Sequence, residues 1–252
     1  MMRYVFEKLK RFPRKLLFLS SYFLFYHREA IAKLSRFGFA EVRAFRIQKW
    51  RRFQTGNVFR YYYTAQFNGE KCFVKLSNDS TIVNEIFVNS YITQCGVSFV
   101  PKLLIGDTNY AKDSYLLALE FRSDLSNFRL PDDEKAFESL CHEFRRVYDK
   151  FKEFGIIHGD ISASNLLLDT DNRISLIDFG IGRVPGSEAI EIDMNTHCGT
   201  YYRTNKTGKV YDDVYSFLCM LDDCGIPAAY KQKECYKNIK SLIGTHTYKI
   251  SV

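Results

Sequence analysis

Three polar side chains that could take part in a chemical reaction lie within one short stretch of the chain. Asp160 stands in a loop, Asn165 precedes the apolar run Leu166-Leu167-Leu168, and Asp178 follows the apolar run Ile174–Ile177. The turn residues between the two runs predict that the chain folds back, so that all three side chains end beside one cleft. A carboxylate can accept the proton of an attacking hydroxyl, and amide and carboxylate oxygens are ligands that Mg²⁺ takes. These residue types therefore suit phosphoryl transfer to a hydroxyl group.

The spacing of these residues matches a known motif. His158 to Asn165 has the form H-x-D-x-x-x-x-N, and Asp-Phe-Gly follows at residues 178–180. The stretch resembles the catalytic core of the protein-kinase-like superfamily. The resemblance implies that ATP is the donor, that Asp160 accepts or orients the acceptor hydroxyl, and that Asn165 and Asp178 bind Mg²⁺. The structural alternative is two buried strands with acidic turns, and the further landmarks disfavour it.

A lysine inside an apolar strand is the next landmark. Lys75 lies within Cys72-Phe73-Val74-Lys75-Leu76, where an unpaired ammonium would be costly. Glu85, in a stretch with helical pattern over residues 81–93, is its expected partner. The pair resembles the strand lysine and helix glutamate that hold the α- and β-phosphates of ATP in this superfamily, although the spacing is shorter than in typical protein kinases. The alternative for Lys75 is a surface lysine on an edge strand.

Nucleotide contacts are expected at two further places. Gly56 and Val58 resemble the end of a glycine-rich phosphate loop, but Arg51 and Phe53 stand where the superfamily has two earlier glycines. The apolar strand over residues 114–121 ends in Glu120-Phe121, where such folds cross between lobes and backbone groups meet adenine. By this resemblance Gly56, Val58, Glu120 and Phe121 join Lys75 and Glu85 as expected ATP contacts.

The later motifs are partly degenerate. Gly199-Thr200 and Asp213-Val214-Tyr215-Ser216-Phe217 resemble the end of an activation segment and the helix beneath it, whose aspartate, Asp213, holds the catalytic loop backbone. The Ala-Pro-Glu element between them is replaced by residues 203–205. Gly159 replaces the arginine of His-Arg-Asp, and Ser162 stands where Ser/Thr protein kinases place a lysine. Small-molecule and glycan kinases of the superfamily commonly lack that lysine.

Composition restricts the class of protein and its surroundings. The 252 residues are 46% hydrophobic and 26% charged, which is typical of a globular chain rather than a disordered one. Seven cysteines form no C-x-x-C pair, so zinc binding and a secreted disulfide framework are poorly supported and a reducing cytosol fits best. The net charge of +7 favours an acidic partner; anionic lipid, nucleic acid and phosphorylated glycan all qualify, and nucleic acid is the less favoured.

Residues 1–35 differ from the rest of the chain. Basic residues surround the apolar run at residues 16–26, which is too short to span a bilayer. We expect this segment to lie on the inner face of the cytoplasmic membrane, because near-surface Lys and Arg gain energy against anionic lipid. A helix packed on the first lobe is the structural alternative, and a signal peptide is disfavoured by the lack of a small-residue cleavage site.

The predicted fold is α+β: a two-lobed protein-kinase-like fold with a truncated C-terminal lobe. Residues 36–121 form a small β-rich N-lobe, and residues 122–252 form a reduced helical C-lobe with the catalytic loop. The predicted function is ATP/Mg-dependent phosphorylation of a hydroxyl, and the reduced lobe and Ser162 most resemble bacterial lipopolysaccharide-core sugar kinases. Alternatives are a minimal Ser/Thr protein kinase, a kinase-like ATPase associated with tRNA modification, and a pseudokinase scaffold.

Overall fold

The computed structural model describes residues 27–45, 49–53, 56–111, 114–187, 200–205 and 208–250. The chain divides into two compact units, one mainly of strands and one mainly of helices. The sheet unit runs to Asp79 and includes Leu104–Phe121, whereas the helical unit contains Ser80–Leu103 and resumes at Arg122. The predicted α+β class is confirmed.

The sheet unit is built on one six-stranded sheet, with the path β1-β3-β4-β6-β5 and β2 paired with β3. The pairs β1–β3, β2–β3, β3–β4 and β4–β6 are antiparallel. Its elements are helix α1 (His27–Arg36) and strands β1 (Phe39–Ala44), β2 (Lys49–Phe53), β3 (Gly56–Phe67), β4 (Glu70–Ser77), β5 (Leu103–Ala111) and β6 (Ser114–Glu120). The β3–β4 hairpin turns at Asn68 and Gly69, with φ of +51° and +82°. Positive φ at both positions is the requirement of the two-residue hairpin turn that Asn-Gly favours, and the sequence predicted this turn.

Helix α1 belongs to the core of the sheet unit. Ala30 and Leu34 are buried and pack in one cluster with Phe39, Tyr63 and Val74. This part of the N-terminal segment therefore adopts the packed-helix arrangement. Residues 1–26, which include the apolar run at 16–26, lie outside the described residues. Among the residues that the structure describes, none of the helices is both long and apolar enough to span a membrane.

The helical unit surrounds a separate core. Its elements are α2 (Thr81–Gln94), β7 (Ser126–Asn127), α3 (Glu134–Phe154), β8 (Leu166–Leu168), β9 (Ile174–Leu176), β10 (Arg203–Asn205), β11 (Gly208–Tyr211), α4 (Asp213–Asp223), a 3-10 turn (Tyr230–Gln232), α5 (Glu234–Lys240) and β12 (Tyr248–Ile250). Two three-stranded sheets, β7-β8-β9 and β10-β11-β12, complete it. After α4 the described residues form the 3-10 turn, one helix of 7 residues and a short strand.

Helix α3 is the long buried helix of this unit. The Asp133 side chain caps it by accepting from Ala136 N at 2.8 Å, and Gly155 ends it with φ of +66°. The predicted apolar stripe is buried, and it consists of Phe137, Leu140, Phe144, Val147 and Phe151. The Phe144 ring stacks on Phe217 of α4 at a centroid distance of 3.7 Å. The spacing of the apolar residues thus decides which face of α3 is buried in the core of the helical unit.

The grouping of residues 80–103 differs from the predicted boundary at residue 121. Helix α2 packs with the helical unit, because Val88 and Ile92 lie in the same buried cluster as Phe151 and Phe179. Backbone bonding extends this grouping, since Leu176 N donates to Phe99 O at 3.1 Å. The order of elements along the chain suggests that α2 belongs with the strands before and after it. Side-chain packing instead groups α2 with the helical unit.

Candidate active site

The chain brings Asp160 and Asn165 together and places Asp178 at the end of the neighbouring strand. Asn165 Nδ2 donates to the Asp160 backbone oxygen at 2.9 Å and to Asp160 Oδ2 at 3.1 Å. Ile177 N donates to Asn165 O at 3.0 Å, which sets the residue before Asp178 beside Asn165. The β8–β9 pair that follows from the two apolar runs holds this arrangement. Asp160, Asn165 and the backbone turn at Asp178 therefore lie within one unit of the fold, and their joint role at a metal site stays a prediction.

Asp178 has an unusual backbone conformation. Its φ is +70°, in the left-handed region that residues other than glycine rarely adopt. Such conformations cost about 1–3 kcal/mol and concentrate at functional sites, where the surrounding structure enforces them. The following Phe179 is completely buried and lies 4.4 Å from the His158 ring, centroid to centroid. The buried phenylalanine thus anchors the turn that presents Asp178.

His158 supports the catalytic loop rather than acting on a substrate. Its side chain is buried, its Nε2 lies 2.9 Å from Ile177 O, and its Nδ1 accepts from Asp160 N at 3.2 Å. A carbonyl oxygen can only accept, so Nε2 carries the proton and Nδ1 is the acceptor. The neutral ring therefore ties the backbone of Asp160 to the residue before Asp178.

Asp213 holds the loop from below, as the resemblance implied. Its carboxylate accepts from His158 N at 2.7 Å and from Gly159 N at 2.9 Å. Burial raises the pKa of Asp213 above its usual value, and the two N–H donors oppose that effect. Gly159 has φ of +78°, and a Cβ at this position would lie 3.2 Å from Ile181 O. A glycine in place of the usual arginine thus fits both the backbone conformation and the close approach.

Asp160 has a further backbone donor that the sequence did not indicate. Thr200 N donates to Asp160 Oδ1 at 2.6 Å, while Oδ2 accepts from Asn165. A carboxylate offers about four acceptor sites, so each oxygen retains capacity for a substrate hydroxyl. Thr200 belongs to the Gly-Thr motif noted in the sequence, but its bond to Asp160 joins residues that are 40 positions apart.

Helix α2 contributes one side chain that sequence reasoning missed. Asn84 is completely buried, and its Nδ2 lies within 3.0–3.3 Å of the carbonyl oxygens of Phe179, Gly180 and Gly182. A Cβ at Gly180 would lie 3.3 Å from Thr81 Cβ, so glycine permits the helix to approach. Asn84 therefore fixes the Asp-Phe-Gly turn to α2. A lone asparagine in a helical pattern gives no signal of such a role.

The remaining predicted site residues are distributed over both units. Lys75 is in β4 of the sheet unit and is 9% exposed, and Glu85 is in α2 of the helical unit and is completely buried. Their pairing stays a prediction. Phe121 N donates to Lys71 O at 3.0 Å, and the Lys71 Nζ lies 4.3 Å from the Phe121 ring centroid. Glu120 ends β6 opposite Cys72, and its predicted contact with adenine is untested.

The predicted phosphate contacts fall in the antiparallel pair of β2 and β3. Phe53 of β2 pairs with Gly56 of β3, while residues 54–55 lie outside the described residues. The side chain of Val58 is also outside the part of the chain that the structure describes. The predicted phosphate contacts of Gly56 and Val58 therefore stay predictions.

Comparison with known proteins places this chain beside protein kinases. No family model matches it. Over 134 residues, half of this chain, it is 40% identical to a G-type lectin S-receptor-like serine/threonine-protein kinase of Arabidopsis thaliana, of which it covers 15%. Over 139 residues, 53% of this chain, it is 21% identical to a probable serine/threonine-protein kinase KIN1 homolog of Encephalitozoon cuniculi, of which it covers 23%. Over 68 residues, 27% of this chain, it is 44% identical to a mouse (Mus musculus) hormonally up-regulated neu tumor-associated kinase, of which it covers 10%.

A solved structure is also similar. The Cydia pomonella granulovirus kinase PK-1 aligns with a TM-score of 0.41 and 18% sequence identity, over 62% of this chain and 57% of the viral one. The chain spans less than a quarter of the length of the three curated relatives it matches above. The sequence matches support the predicted class of protein, a kinase of protein-kinase-like fold. They do not identify an acceptor.

Proposed function

We propose that this chain transfers the γ-phosphoryl group of ATP to a hydroxyl group in a Mg²⁺-dependent reaction. The observation that carries the proposal is the bond from the Asn165 side chain to Asp160, together with the backbone bond that sets Asn165 beside the Asp178 turn. A phosphotransferase needs a carboxylate for the acceptor hydroxyl beside oxygen ligands for the metal. The similarity to kinases in sequence supports the same reaction.

The residues present fit Mg²⁺. Among the described residues there is no group of three or more His, Cys, Asp or Glu that could hold a metal ion by itself. Mg²⁺ usually takes one or two protein oxygens and completes its shell with water and substrate phosphates. Because the Asn165 amide nitrogen donates to Asp160, its Oδ1 faces away from that bond and is suited to the metal. When bound, Mg²⁺ neutralises charge on the transferring phosphates.

The protein side chains divide the remaining work. Asp160 receives or orients the acceptor hydroxyl, and its bonds to Asn165 and Thr200 fix the direction of both carboxylate oxygens. Lys75 holds the α- and β-phosphates, and Glu85 orients Lys75. The Lys75 side chain is largely removed from water, which strengthens the attraction of its ammonium group for phosphate.

For the acceptor we propose a saccharide hydroxyl of a cell-envelope glycolipid, of the lipopolysaccharide-core type. Ser162 supports this choice, because it is 6% exposed and its hydroxyl lies 3.0 Å from that of Ser164, within the loop. The position therefore carries no cation directed toward the γ-phosphate. The basic and apolar residues of 1–35 would bring the chain to the inner face of the cytoplasmic membrane.

A Ser/Thr residue of a protein is the second candidate acceptor. The names of the Arabidopsis and Encephalitozoon relatives specify serine/threonine-protein kinases. The backbone contact of Thr200 with Asp160 also favours it, because this contact sets the activation segment beside the acceptor carboxylate.

One experiment separates the two acceptors. The full chain is incubated with Mg²⁺ and ATP labelled in the γ-phosphate, and with either purified envelope glycolipid or a general protein substrate. We expect label in the glycolipid with wild-type protein and none with Asp160→Asn. Label in phosphoserine or phosphothreonine alone would establish the second candidate, and wild-type protein that consumes no ATP with any acceptor would overturn the phosphotransferase proposal.

A further inference from the structure

Two consecutive buried aspartates at the start of α4 have different partners. Asp213 accepts from the catalytic loop, whereas the carboxylate of Asp212, which is completely buried, accepts from three other groups. Tyr215 N donates to Asp212 Oδ1 at 3.1 Å, Gly244 N donates to Oδ2 at 2.8 Å, and the Arg203 guanidinium lies 2.8 Å from Oδ2. A buried carboxylate requires such partners, because its desolvation would otherwise be costly.

The chain beyond Gly244 then runs along the catalytic loop. His246 Nε2 donates to Ile156 O at 2.7 Å, two residues before His158. The Tyr148 hydroxyl of α3 bonds to the Thr245 hydroxyl, and the Tyr148 ring meets the His246 ring edge-on at a centroid distance of 6.3 Å. These contacts connect residues 97 and 90 positions apart in sequence.

The same segment also reaches the chain after the Asp-Phe-Gly turn. The Arg183 guanidinium lies 5.1 Å from the Tyr248 ring centroid. Arg183 and Ile157 exchange two backbone hydrogen bonds, at 2.7 and 2.8 Å. These bonds connect the residue before His158 to the chain that follows the Asp-Phe-Gly turn. Strand β12 completes the attachment by pairing with β11, which pairs with β10 at Arg203.

We infer that residues 244–250 form a brace that positions the catalytic loop, and that Asp212 and His246 are its positioning residues. The inference deepens the proposed phosphotransferase function and rests on it for its catalytic consequence. The Ala-Pro-Glu element that resembling proteins have before this helix is replaced here by residues 203–205. Asp212 forms an ion pair with Arg203, which is one of these residues, and it also accepts a hydrogen bond from Gly244 N. The brace thereby connects the end of the activation segment, the catalytic loop and the chain after Asp-Phe-Gly.

Three variants and one control test the brace. His246→Ala removes the donor to Ile156 O, and His246→Gln supplies an amide N–H in its place. Asp212→Asn retains an oxygen that can cap α4 but sets an NH₂ group against Arg203 and Gly244 N–H. Lys249→Ala is the matched control, because Lys249 is an exposed residue of the same segment. All four are made in the full chain.

Hydrogen exchange of residues 156–160, followed by mass spectrometry, is a readout that needs no catalysis. Loss of one buried hydrogen bond is expected to raise local exchange about tenfold in His246→Ala and Asp212→Asn, and less in His246→Gln. Exchange within α3 should stay close to wild type, as should all exchange in Lys249→Ala. Unchanged exchange at 156–160, or an equal rise throughout α3, would overturn the brace, since the second result reports global destabilisation only.

The kinetic readout addresses positioning. Misplacement of Asp160 should lower kcat about tenfold or more in His246→Ala and Asp212→Asn, while KM for ATP stays within about twofold of wild type. Normal kcat in variants with accelerated exchange would overturn the positioning role and leave the phosphotransferase proposal intact. If the wild-type chain shows no turnover, the phosphotransferase proposal fails, and the exchange data alone still decide whether the brace exists.

Discussion

Asn165 donates both hydrogen bonds of its amide nitrogen to Asp160, one to the backbone oxygen at 2.9 Å and one to Oδ2 at 3.1 Å. The nitrogen and oxygen of the amide diverge from one carbon, so the donor group faces Asp160 while the acceptor oxygen faces elsewhere. Its nitrogen fixes the direction of the carboxylate, and its Oδ1, which accepts from the Ser164 hydroxyl at 3.4 Å, is the atom that we propose as a metal ligand. This relationship makes the two residues one functional group, and the predictions below separate their roles.

Asp160→Asn should lower the rate of phosphoryl transfer by about 10²- to 10⁴-fold, because an amide cannot accept the hydroxyl proton. ATP affinity should stay close to wild type, since in the proposed reaction Asp160 serves the acceptor rather than the nucleotide. Steady-state kinetics and calorimetric ATP titration measure the two quantities. Asp171→Asn is the matched control, because Asp171 lies in an exposed turn and undergoes the same chemical change. Full activity in Asp160→Asn would remove Asp160 from the reaction.

Asp178→Asn should weaken Mg²⁺-dependent ATP binding by at least about tenfold, because a carboxylate ligand is lost. Asparagine is the suitable replacement because it tolerates the left-handed φ of +70° at this position better than alanine does. The unfolding midpoint should therefore change little. Titration of ATP at several Mg²⁺ concentrations gives the affinity, and an unchanged Mg²⁺ dependence would contradict the assigned role.

Gly159→Ala should destabilise the protein more than Gly225→Ala does. Both glycines have positive φ, +78° and +81°, so both variants incur a backbone cost of about 1–2 kcal/mol. Only Gly159 adds a steric conflict, since its Cβ would lie 3.2 Å from Ile181 O, whereas no atom lies within 4 Å at Gly225. Urea unfolding measures the two free energies. Equal losses would show that the close approach at Gly159 relaxes at no cost.

Cys72 should resist alkylation at pH 8 while Cys224 reacts. Burial raises the pKa of the Cys72 thiol to about 11, and its Sγ lies 3.4 Å from Ala65 O within the β3–β4 pair. Only a small fraction is thiolate at pH 8, and the side chain is inaccessible. Burial and Asp223 also raise the pKa of Cys224, but that residue is exposed. Peptide mass spectrometry after brief iodoacetamide treatment ranks the two, and rapid labelling of Cys72 would contradict the packing of the sheet unit.

The full chain should co-sediment with anionic vesicles and not with neutral ones, and high salt should reduce the binding, because exposed charges are screened within about 8–10 Å at physiological ionic strength. Replacing six basic residues by glutamine should abolish it; they are Arg3, Lys8, Lys10, Arg11, Arg14 and Lys15. Substitution is preferable to deletion of residues 1–35, because Ala30 and Leu34 belong to the sheet-unit core. Equal binding to neutral vesicles would contradict the electrostatic attachment.

Much of the fold and of the candidate site could be predicted from the sequence because the signals are local. The Asn68-Gly69 turn, the apolar stripe of α3 and its stop at Gly155 each depend on residues within a few turns of chain. Asp160, Asn165 and the Asp178 turn also follow locally, since one short hairpin returns the chain past Asn165. Through their resemblance to the protein-kinase-like superfamily, the type and spacing of these residues led to the phosphotransferase hypothesis.

Only the tertiary structure decided which distant groups hold that site in place. Asn84, Thr200 and His246 each bond across 40 or more positions to a backbone group or carboxylate of the catalytic region, and none stands in a pattern that indicates a partner. The physical reason is that irregular loops leave backbone N–H and C=O groups that must be paired when they are buried. Which side chain supplies the pairing depends on how helices and strands pack around the loop, and spacing along the chain does not encode it.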